Sequence, residues 1–326
     1  MSRDNQSVQE EIDKLTHKLS QMQKEYYIQG LPSHSDIEYD RMFDRLAQLE
    51  KQYPQYKRPD SPTQRVGSDL TAELPEVEHT VPVLSLNKSY TAEGVLVWME
   101  RLIKKTSKQL VFTAEEKIDG VSIVLYYQDG FLQQAVTRGN GFVGNDVTAN
   151  ARTIKSIPLR LNEPISIAVR GEIFLPKEAF ATHNKELGTE FANPRNLAAG
   201  TMRRVKSRDA AAVPLEIFVY EGYVEAEYSD PPNSHTAMLK LLRELGFKVN
   251  ERFEVCSTQQ KLHDFIEKEE QDRLSLPYEI DGLVIKVDQL DVREQVGYTG
   301  HHPRWAIAYK FVAPQAETFV ESIDVQ

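Results

Sequence analysis

The sequence contains only one cysteine, Cys256, among its 326 residues. A single thiol excludes an intrachain disulfide and a multi-cysteine zinc site, and it is typical of a reducing compartment. No stretch approaches the roughly 20 apolar residues that a membrane-spanning helix requires. The polar start, residues 1–18, has no apolar run for a signal peptide. These absences predict a soluble cytoplasmic protein without a membrane partner.

An excess of basic residues is also absent, because the formal net charge is −10 at pH 7. Nucleic-acid-binding domains are usually basic, so the negative net charge argues against a strong general nucleic-acid binder. A local basic patch remains at residues 202–208. The length allows two domains at roughly 100–200 residues each.

The first 73 residues have the pattern of two helices. Apolar residues recur at spacings of three and four over residues 8–26 and again over residues 39–49, as they do on one buried helix face. Ser35 and Glu38 have the spacing of a capping box at the start of the second helix. We therefore expect a small all-helical module over residues 1–73 and a larger domain over residues 74–318.

Beyond residue 73, strand-like runs alternate with helices. The runs 122–128 and 131–137 flank Asp129-Gly130, a two-residue turn that predicts a β-hairpin because both positions favour positive φ. Further strands are expected at residues 166–175, 215–220, 279–287 and 306–311, and helices at residues 91–105, 177–187, 235–245 and 259–271. The first of these helices is expected to bury four residues: Val95, Trp98, Leu102 and Ile103. This mixture indicates an α+β fold with largely antiparallel sheets.

The clearest candidate for chemistry is Lys117, in the run Glu115-Glu116-Lys117-Ile118-Asp119-Gly120. A lysine attacks phosphorus only as the neutral amine, and its ordinary pKa of about 10.4 leaves about one lysine in a thousand neutral near pH 7.4. Nearby acids raise a lysine pKa and nearby cations lower it. A nucleophilic Lys117 would therefore need basic groups from elsewhere in the chain, whereas an unreactive surface lysine before a turn fits the same residues.

Three more charged residues lie within strand-like, largely apolar runs: Glu172, Lys286 and Lys310. Because side chains alternate between the two faces of a strand, each of them points either to solvent or into a site, and the residues alone leave both possibilities open. The loop that carries Arg195 and Arg203 fits contacts with phosphates, and it equally fits a solvated loop that leads into a helix.

One glycine pattern suggests a different function. Gly139, Gly141 and Gly144 match G-x-G-x-x-G, a dinucleotide-binding pattern that requires a parallel β-α-β unit. Here the preceding strand belongs to the expected hairpin, and the following helix is short. A Rossmann dehydrogenase is therefore disfavoured, and we expect a tight loop that holds Arg138 near a nucleotide.

In chain order, these motifs resemble those of the covalent nucleotidyltransferases. The similarity rests on Lys117-x-Asp119-Gly120, Arg138-Gly139, Arg170-Gly171-Glu172, Asp281-Gly282-Leu283-Val284-Ile285-Lys286 and Trp305-Ala306-Ile307-Ala308-Tyr309-Lys310-Phe311. Four further stretches are similar to the bacterial NAD-dependent DNA ligases, at residues 35–40, 60–67, 83–86 and 193–196. The resemblance covers almost the whole chain. It implies an ATP-grasp-like nucleotidyltransferase fold, preceded by a helical module that recognises nicotinamide mononucleotide (NMN).

The resemblance also implies a half-reaction in which Lys117 attacks the α-phosphate of NAD, forms lysyl-AMP and releases NMN. The implied catalytic residues are Lys117, Asp119, Asp281, Lys286 and Lys310. The implied NAD contacts are Tyr26, Tyr27, Asp36, Tyr39, Asp40, Ser85, Leu86, Glu115, Ile118, Arg138, Glu172, Lys286 and Lys310. Glu172 and Asp281 would hold Mg²⁺, whereas Arg195 and Arg203 would contact phosphate or DNA. Aromatic faces and carboxylates suit the cationic nicotinamide ring, although plain helix packing explains Tyr26 and Tyr39 as well.

Three positions depart from the pattern of some relatives: Asn140, Asn145 and Tyr27 stand where those relatives have an aspartate, a glutamate and a histidine. The family also continues into an oligonucleotide-binding domain, expected to begin at residues 319–326, and into further domains that clamp DNA. We therefore expect a monomeric fragment that self-adenylates without zinc, binds nicked double-stranded DNA weakly and hardly seals it. The alternatives are an ATP-dependent polynucleotide ligase, a capping-type nucleotidyltransferase, and a non-catalytic scaffold.

Overall fold

The N-terminal module consists of two packed helices. The structure is a computed structural model that describes residues 3–27, 36–65, 74–186, 191–225, 228–299 and 302–312. Helices α1 (Arg3–Tyr27) and α2 (Asp36–Gln52) are followed by short 3₁₀ helices at Pro54–Tyr56 and Pro62–Arg65. The two helices meet through buried residues at the predicted spacing: Ile12, Leu19, Leu46 and Leu49. The expected capping residue Ser35 lies outside the described residues.

The larger part of the chain mixes strands and helices. In order they are β1 (Glu76–Glu78), β2 (Asn87–Ser89), α3 (Ala92–Thr106), β3 (Phe112–Ile118), β4 (Val121–Gln128), β5 (Phe131–Thr137), β6 (Val143–Asn145), α4 (Thr148–Ala151), β7 (Ile167–Phe174), α5 (Lys177–Glu186), α6 (Pro194–Met202), α7 (Ser207–Ala211), β8 (Glu216–Val224), α8 (His235–Glu244), β9 (Phe253–Cys256), α9 (Gln259–Asp272), β10 (Ile280–Val287), α10 (Leu290–Val296) and β11 (Ala306–Lys310). In the part of the chain that the structure describes, no helix has the length and apolar character needed to cross a membrane.

Two antiparallel sheets dominate this part. The first has the strand order β2-β11-β10-β3-β9, and only its β11–β2 pair is parallel. The second has the order β5-β4-β7-β8 and is antiparallel throughout. Each sheet has its own apolar core, covered by helices that include α3 and α9 on the first and α6 and α8 on the second. The prediction of an α+β fold with largely antiparallel sheets is confirmed.

The predicted hairpin is present between β4 and β5. Asp129 and Gly130 have φ angles of 51° and 80°, the left-handed conformation that a two-residue turn needs at both positions. The predicted strands and helices beyond it are also present, with ends that differ by a few residues.

The inward face of α3 differs from the prediction at Ile103. Ile103 is 41% exposed, whereas Met99 is 4% exposed and takes its place in the core. Val95, Met99 and Leu102 follow one another at spacings of four and three, so they form one stripe along the helix. Ile103 comes directly after Leu102 and is rotated about 100° away from that stripe, because a helix has 3.6 residues per turn. Trp98 is half-buried beside the core, packed edge-on against Phe112.

The register of the first sheet aligns three strands at the predicted motifs. Gly282 on β10 is the pairing partner of both Lys117 on β3 and Lys310 on β11. A Cβ atom at Gly282 would lie 2.0 Å from the Tyr309 carbonyl oxygen, so only glycine allows this close approach of strands. The preceding residue, Asp281, is thereby placed next to both lysines.

Candidate active site

A cavity with an empty volume of about 760 Å³, part of it open solvent, has walls from both sheets. Strands β3, β10 and β11 of the first sheet and β7 and β8 of the second contribute to its lining. Six of the predicted site residues line it: Leu86, Glu115, Lys117, Ile118, Glu172 and Lys286. Residues far apart in the sequence therefore share one site.

The predicted nucleophile shares a carboxylate with a second lysine. Lys117 Nζ lies 2.8 Å from Asp281 Oδ1, and Lys310 Nζ lies 2.9 Å from Asp281 Oδ2. Burial alone would raise the pKa of Asp281, but its contacts with both lysines outweigh burial and hold that pKa below its ordinary value. Lys310 and Lys117 thus share one carboxylate, whereas Lys286 forms an ion pair with Glu115.

The two predicted arginines differ in their position. Arg195 Nη1 donates to Asp119 Oδ1 at 2.7 Å, which connects helix α6 to the end of β3. Asp119 is also held by its own backbone N–H, which donates to the Glu279 carbonyl oxygen at 2.8 Å. Arg203 is exposed, and its Nε donates to the Ala199 carbonyl oxygen within its own helix. The structure brings Arg195 to the site and leaves Arg203 on the surface.

Glu172 occupies the β7 wall of the cavity. Burial raises the pKa of Glu172 to about 7, although the nearby Lys117 and Arg195 favour its charged form. Ser85 is absent from the described lining; its carbonyl oxygen lies 3.0 Å from His302 Nδ1, next to the lining residue Leu86.

The glycine-rich segment after β5 is a tight loop, as predicted. The backbone N–H of Gly141 donates to the Arg138 carbonyl oxygen at 3.0 Å. Asn140 Oδ1 accepts from the backbone N–H groups of Phe142 and Val143, both at 2.9 Å. Asn140 therefore stabilises the loop itself. The Arg138 side chain is exposed and does not belong to the described lining of the cavity.

A buried ionic group lies at one end of the cavity wall. The sequence patterns did not show that its members contact one another. Glu115 Oε1 lies 2.6 Å from His235 Nε2, and Glu115 Oε2 lies 3.0 Å from Lys286 Nζ. Lys286 also lies 5.2 Å from the centre of the Tyr220 ring. Burial alone would raise the pKa of Glu115, but its contacts with His235 and Lys286 hold that pKa well below its ordinary value.

A second group of charges extends the same wall. Arg170 Nη1 lies 2.9 Å from Glu221 Oε2, and Arg293 Nη1 lies 3.8 Å from Glu221 Oε1. The Arg293 guanidinium stacks over the Trp305 ring at 4.2 Å. Arg170 belongs to a motif identified in the sequence. Glu221 and Arg293 belong to no local pattern, and only the pairing of β8 and the position of α10 place them at this wall.

Glu116 also borders the cavity, but its carboxylate is bound in a separate cluster. Its carboxylate accepts from Arg252 Nε at 2.8 Å and from the Tyr278 hydroxyl at 2.6 Å. Arg252 in turn binds Glu269 at 2.9 Å and Asp272 at 2.7 Å. Burial and the neighbouring Glu269 raise the pKa of Glu116 to about 7, against hydrogen bonds that favour the charged form.

The predicted nicotinamide contacts lie in the helical module. Tyr26 and Tyr27 end α1, and Asp36 and Asp40 lie in the first turns of α2, but their side chains lie outside the described residues. Tyr39 packs against the helix–helix core, with its ring 6.1 Å from that of Phe43. This packing agrees with the simpler explanation for Tyr39, and the nicotinamide contacts stay a prediction.

Comparison with known proteins shows the family of the chain. A family model described as "NAD-dependent DNA ligase adenylation domain" matches residues 71–314, and another, "DNA ligase-like, N-terminal NAD+-binding domain", matches residues 5–67. Similar proteins include DNA ligases of Borrelia turicatae, 44% identical over 324 residues, and Natranaerobius thermophilus, 40% identical over 329 residues. These alignments cover 98% and 99% of this chain but 48% and 49% of the relatives, so the chain spans about half their length.

A more distant likeness links the chain to a solved structure. Mycobacterial DNA ligase D complexed with ATP and MES aligns with a TM-score of 0.38 and 13% identity, over 61% of this chain and 54% of that chain. A likeness at this level carries no information about substrate. The family model that matches most of the sequence shows the family instead: the chain belongs to the adenylation domains of NAD-dependent DNA ligases, with an N-terminal NAD+-binding domain.

Proposed function

We propose that the chain carries out the adenylation half-reaction, in which Lys117 Nζ attacks the α-phosphate of NAD. A nitrogen–phosphorus bond forms, the pyrophosphate bond on that phosphorus breaks, and NMN leaves with the bridging oxygen. The observation that carries the proposal is the arrangement of Lys117 and Lys310 on the two oxygens of Asp281, beside the cavity between the two sheets. A nucleophile and a phosphate-binding cation are thereby held next to each other.

The attacking amine must first give up a proton. Asp281 Oδ1 lies 2.8 Å from Lys117 Nζ, so the carboxylate holds the amine in position, and the proton would pass to water before the attack. Lys310, on the other oxygen of the same carboxylate, would then turn to the phosphate, whose negative charge it offsets. Asp119 and Arg195 hold the end of β3, next to the nucleophile.

The adenosine half of NAD would occupy the cavity between the two sheets. Glu115 and Lys286 offer a hydrogen-bond acceptor and a donor to the base, and the Tyr220 ring offers an aromatic face. Glu172 would accept hydrogen bonds from the ribose hydroxyls. The chain's helical module would cover the nicotinamide half through Tyr26, Tyr27, Asp36, Tyr39 and Asp40.

Two carboxylates would hold Mg²⁺ in this site, Glu172 and Asp281. Among the described residues, no group of three or more His, Cys, Asp or Glu residues could hold a metal. Mg²⁺ usually binds one or two carboxylates together with substrate phosphates and water, so these two residues fit an ion that arrives with the nucleotide. Because Asp281 contacts a lysine through each oxygen, one of those contacts would have to open. Bound Mg²⁺ would offset negative charge on the phosphates.

Later steps would need the remainder of the enzyme. We propose that AMP passes from Lys117 to the 5′-phosphate of a nick in double-stranded DNA, with Arg195 and Arg203 among the phosphate contacts, in a cytoplasmic, monomeric protein. The support is the family of the chain and the single cysteine. The net charge of −10 predicts that the chain by itself binds nicked DNA weakly at physiological salt.

Intact mass spectrometry tests the proposal. The chain, freed of bound AMP, is incubated with Mg²⁺ and either NAD or ATP, beside Lys117→Ala and a control, Lys105→Ala, which removes an exposed lysine from α3. We expect one added adenylyl group with NAD alone, in the wild type and the control but not in Lys117→Ala. A gain with ATP would place the chain with the ATP-dependent enzymes, and no gain with either nucleotide would contradict the proposal.

A further inference from the structure

A buried histidine supports the cavity wall from behind. His235 is 1% exposed and is the first residue of α8, which Ser234 caps. Its Nε2 lies 2.6 Å from Glu115 Oε1 and 3.3 Å from Lys286 Nζ. His235 itself is not among the residues that line the described cavity. It therefore acts on a bound molecule only through Glu115 and Lys286.

The imidazole of His235 is a neutral hydrogen-bond donor. Burial, together with the nearby cations Lys286 and Arg293, lowers the pKa of His235 to about 4 despite the adjacent Glu115. The start of a helix also disfavours a positive charge. If the neutral ring carried its proton on Nδ1, the Nε2 lone pair would face a carboxylate oxygen at 2.6 Å, which is repulsive. The contact therefore assigns the proton to Nε2, which donates to Glu115.

Both oxygens of Glu115 are consequently fixed. His235 holds one oxygen and Lys286 holds the other, so the carboxylate presents a stationary acceptor next to the ammonium donor. The 6-amino group and N1 of adenine are a donor beside an acceptor and match this pair. A 6-oxopurine presents the reverse, an acceptor at O6 beside a donor at N1, so like groups would face each other at both positions.

We propose that His235 is a positioning residue that makes the site selective for adenine over 6-oxopurine dinucleotides, because it holds the Glu115 carboxylate in place. The assignment rests on the proposed function, in which the adenosine half of NAD occupies this cavity. Without the donor at position 235, the same oxygen of Glu115 keeps only its longer contact with the Thr113 hydroxyl, at 3.4 Å. Glu115 can then shift and accept from N1 of hypoxanthine while Lys286 donates to O6. Selectivity would then be lost even though both contact residues remain.

Two variants separate the hydrogen bond from the packing of His235. His235→Leu fills much of the buried volume but donates nothing, whereas His235→Gln keeps an N–H donor. For each protein, second-order rate constants for Lys117 nucleotidylation are measured by intact mass with NAD and with nicotinamide hypoxanthine dinucleotide. The ratio of the two constants does not depend on the fraction of folded protein, because one preparation supplies both. Loss of structure alone would therefore leave the ratio unchanged.

We expect wild type and His235→Gln to prefer NAD by about 100-fold or more, and His235→Leu by less than about tenfold. A Leu variant that keeps the wild-type preference, or a Gln variant that loses it, would overturn the assignment. If the Leu variant transfers neither nucleotide, calorimetry on folded protein measures its affinities for AMP and inosine monophosphate. The ratio of these affinities then reports the base preference in place of the ratio of rate constants. Binding of neither nucleotide would then also contradict the assignment, since a freed Glu115 should accept either base.

Failure of the proposed function would look different. In that case the wild type would gain no adenylyl group from NAD, whatever residue stands at position 235. The ratio of AMP to inosine monophosphate affinity would still show whether His235 sets the base preference of the cavity.

Discussion

Replacing Glu116 with glutamine should make the stability of the protein less dependent on pH. Arg252 binds the carboxylates of Glu116, Glu269 and Asp272, so three acids share one base in a partly buried cluster. Burial and the neighbouring acid raise the pKa of Glu116 from 4.5 to about 7. In the unfolded chain this group titrates near its ordinary value. The folded state thus keeps a proton that the unfolded chain releases, and stability falls as pH rises from about 4.5 to about 7.

The size of the effect follows from that pKa change. A pKa raised from 4.5 to about 7 corresponds to at most about 3 kcal/mol of unfolding free energy, at 1.36 kcal/mol per pH unit. The Arg252 side chain is 32% exposed, so water screens the cluster in part and we expect about 1–3 kcal/mol. Glutamine cannot ionise, and its oxygen still accepts from Arg252 Nε. Its amide takes the place of the oxygen that accepts from Asn250 Nδ2 and from the Tyr278 hydroxyl, so the hydroxyl oxygen has to accept in turn and the Asn250 bond is lost at every pH.

Urea unfolding at about pH 5 and about pH 8 measures the difference. From the lower to the higher pH, the unfolding free energy of Glu116→Gln relative to wild type should rise by about 1–3 kcal/mol. Glu251→Gln is the control, since it removes an exposed acid close by in the sequence and should not change the pH dependence. An equal difference between variant and wild type at both pH values would refute the reasoning, as would a relative stability of the variant that falls from the lower to the higher pH.

Three further substitutions test other parts of the site. Asp281→Asn should slow lysyl-AMP formation by at least about 100-fold in rapid-quench mass measurements, because it removes the carboxylate that orders two lysines; a rate within tenfold of wild type would contradict its role. Gly282→Ala should lower the unfolding free energy, measured by urea unfolding, by about 2–4 kcal/mol, since the new Cβ would meet the Tyr309 carbonyl oxygen at 2.0 Å. An unchanged urea midpoint would show instead that the strands can separate. Glu221→Gln should lower the unfolding free energy by about 3–5 kcal/mol in the same assay, because it leaves the buried Arg170 without a counter-charge. A decrease below about 1 kcal/mol would mean that water reaches the arginine.

Local patterns in the sequence predicted the parts of the fold that local physics decides. The hairpin at Asp129-Gly130 follows from the positive φ angles that its turn requires, and both residues have them. The helices of the module follow from apolar spacing alone. Ile103 shows the limit of that method, because apolar character does not decide which of two adjacent residues faces the core. That choice depends on where the sheet lies relative to the helix.

The site was predicted only as far as its motifs extend. Lys117 and Lys286 lie in quoted motifs and line the cavity, but the sequence could not show which acid each lysine contacts. His235 and Glu221 have no recognisable pattern around them. His235 matters because it meets Glu115, which lies 120 positions away in the sequence. Such contacts depend on strand register and on the placement of α8, and neither is written in the neighbouring residues.

The charges around β3 also specify how that strand pairs. Glu115 and Lys117 are two residues apart and pair with Lys286 and Asp281, whereas the carboxylate of Glu116 between them binds Arg252 in a separate cluster. A slip of one residue against β10 would exchange the two faces of the strand. It would bring Lys117 against Arg252, two like charges in a buried place, and would leave both clusters without their counter-charges. The ionic residues that serve the chemistry therefore also disfavour a one-residue slip from the register that places Lys117 opposite Gly282.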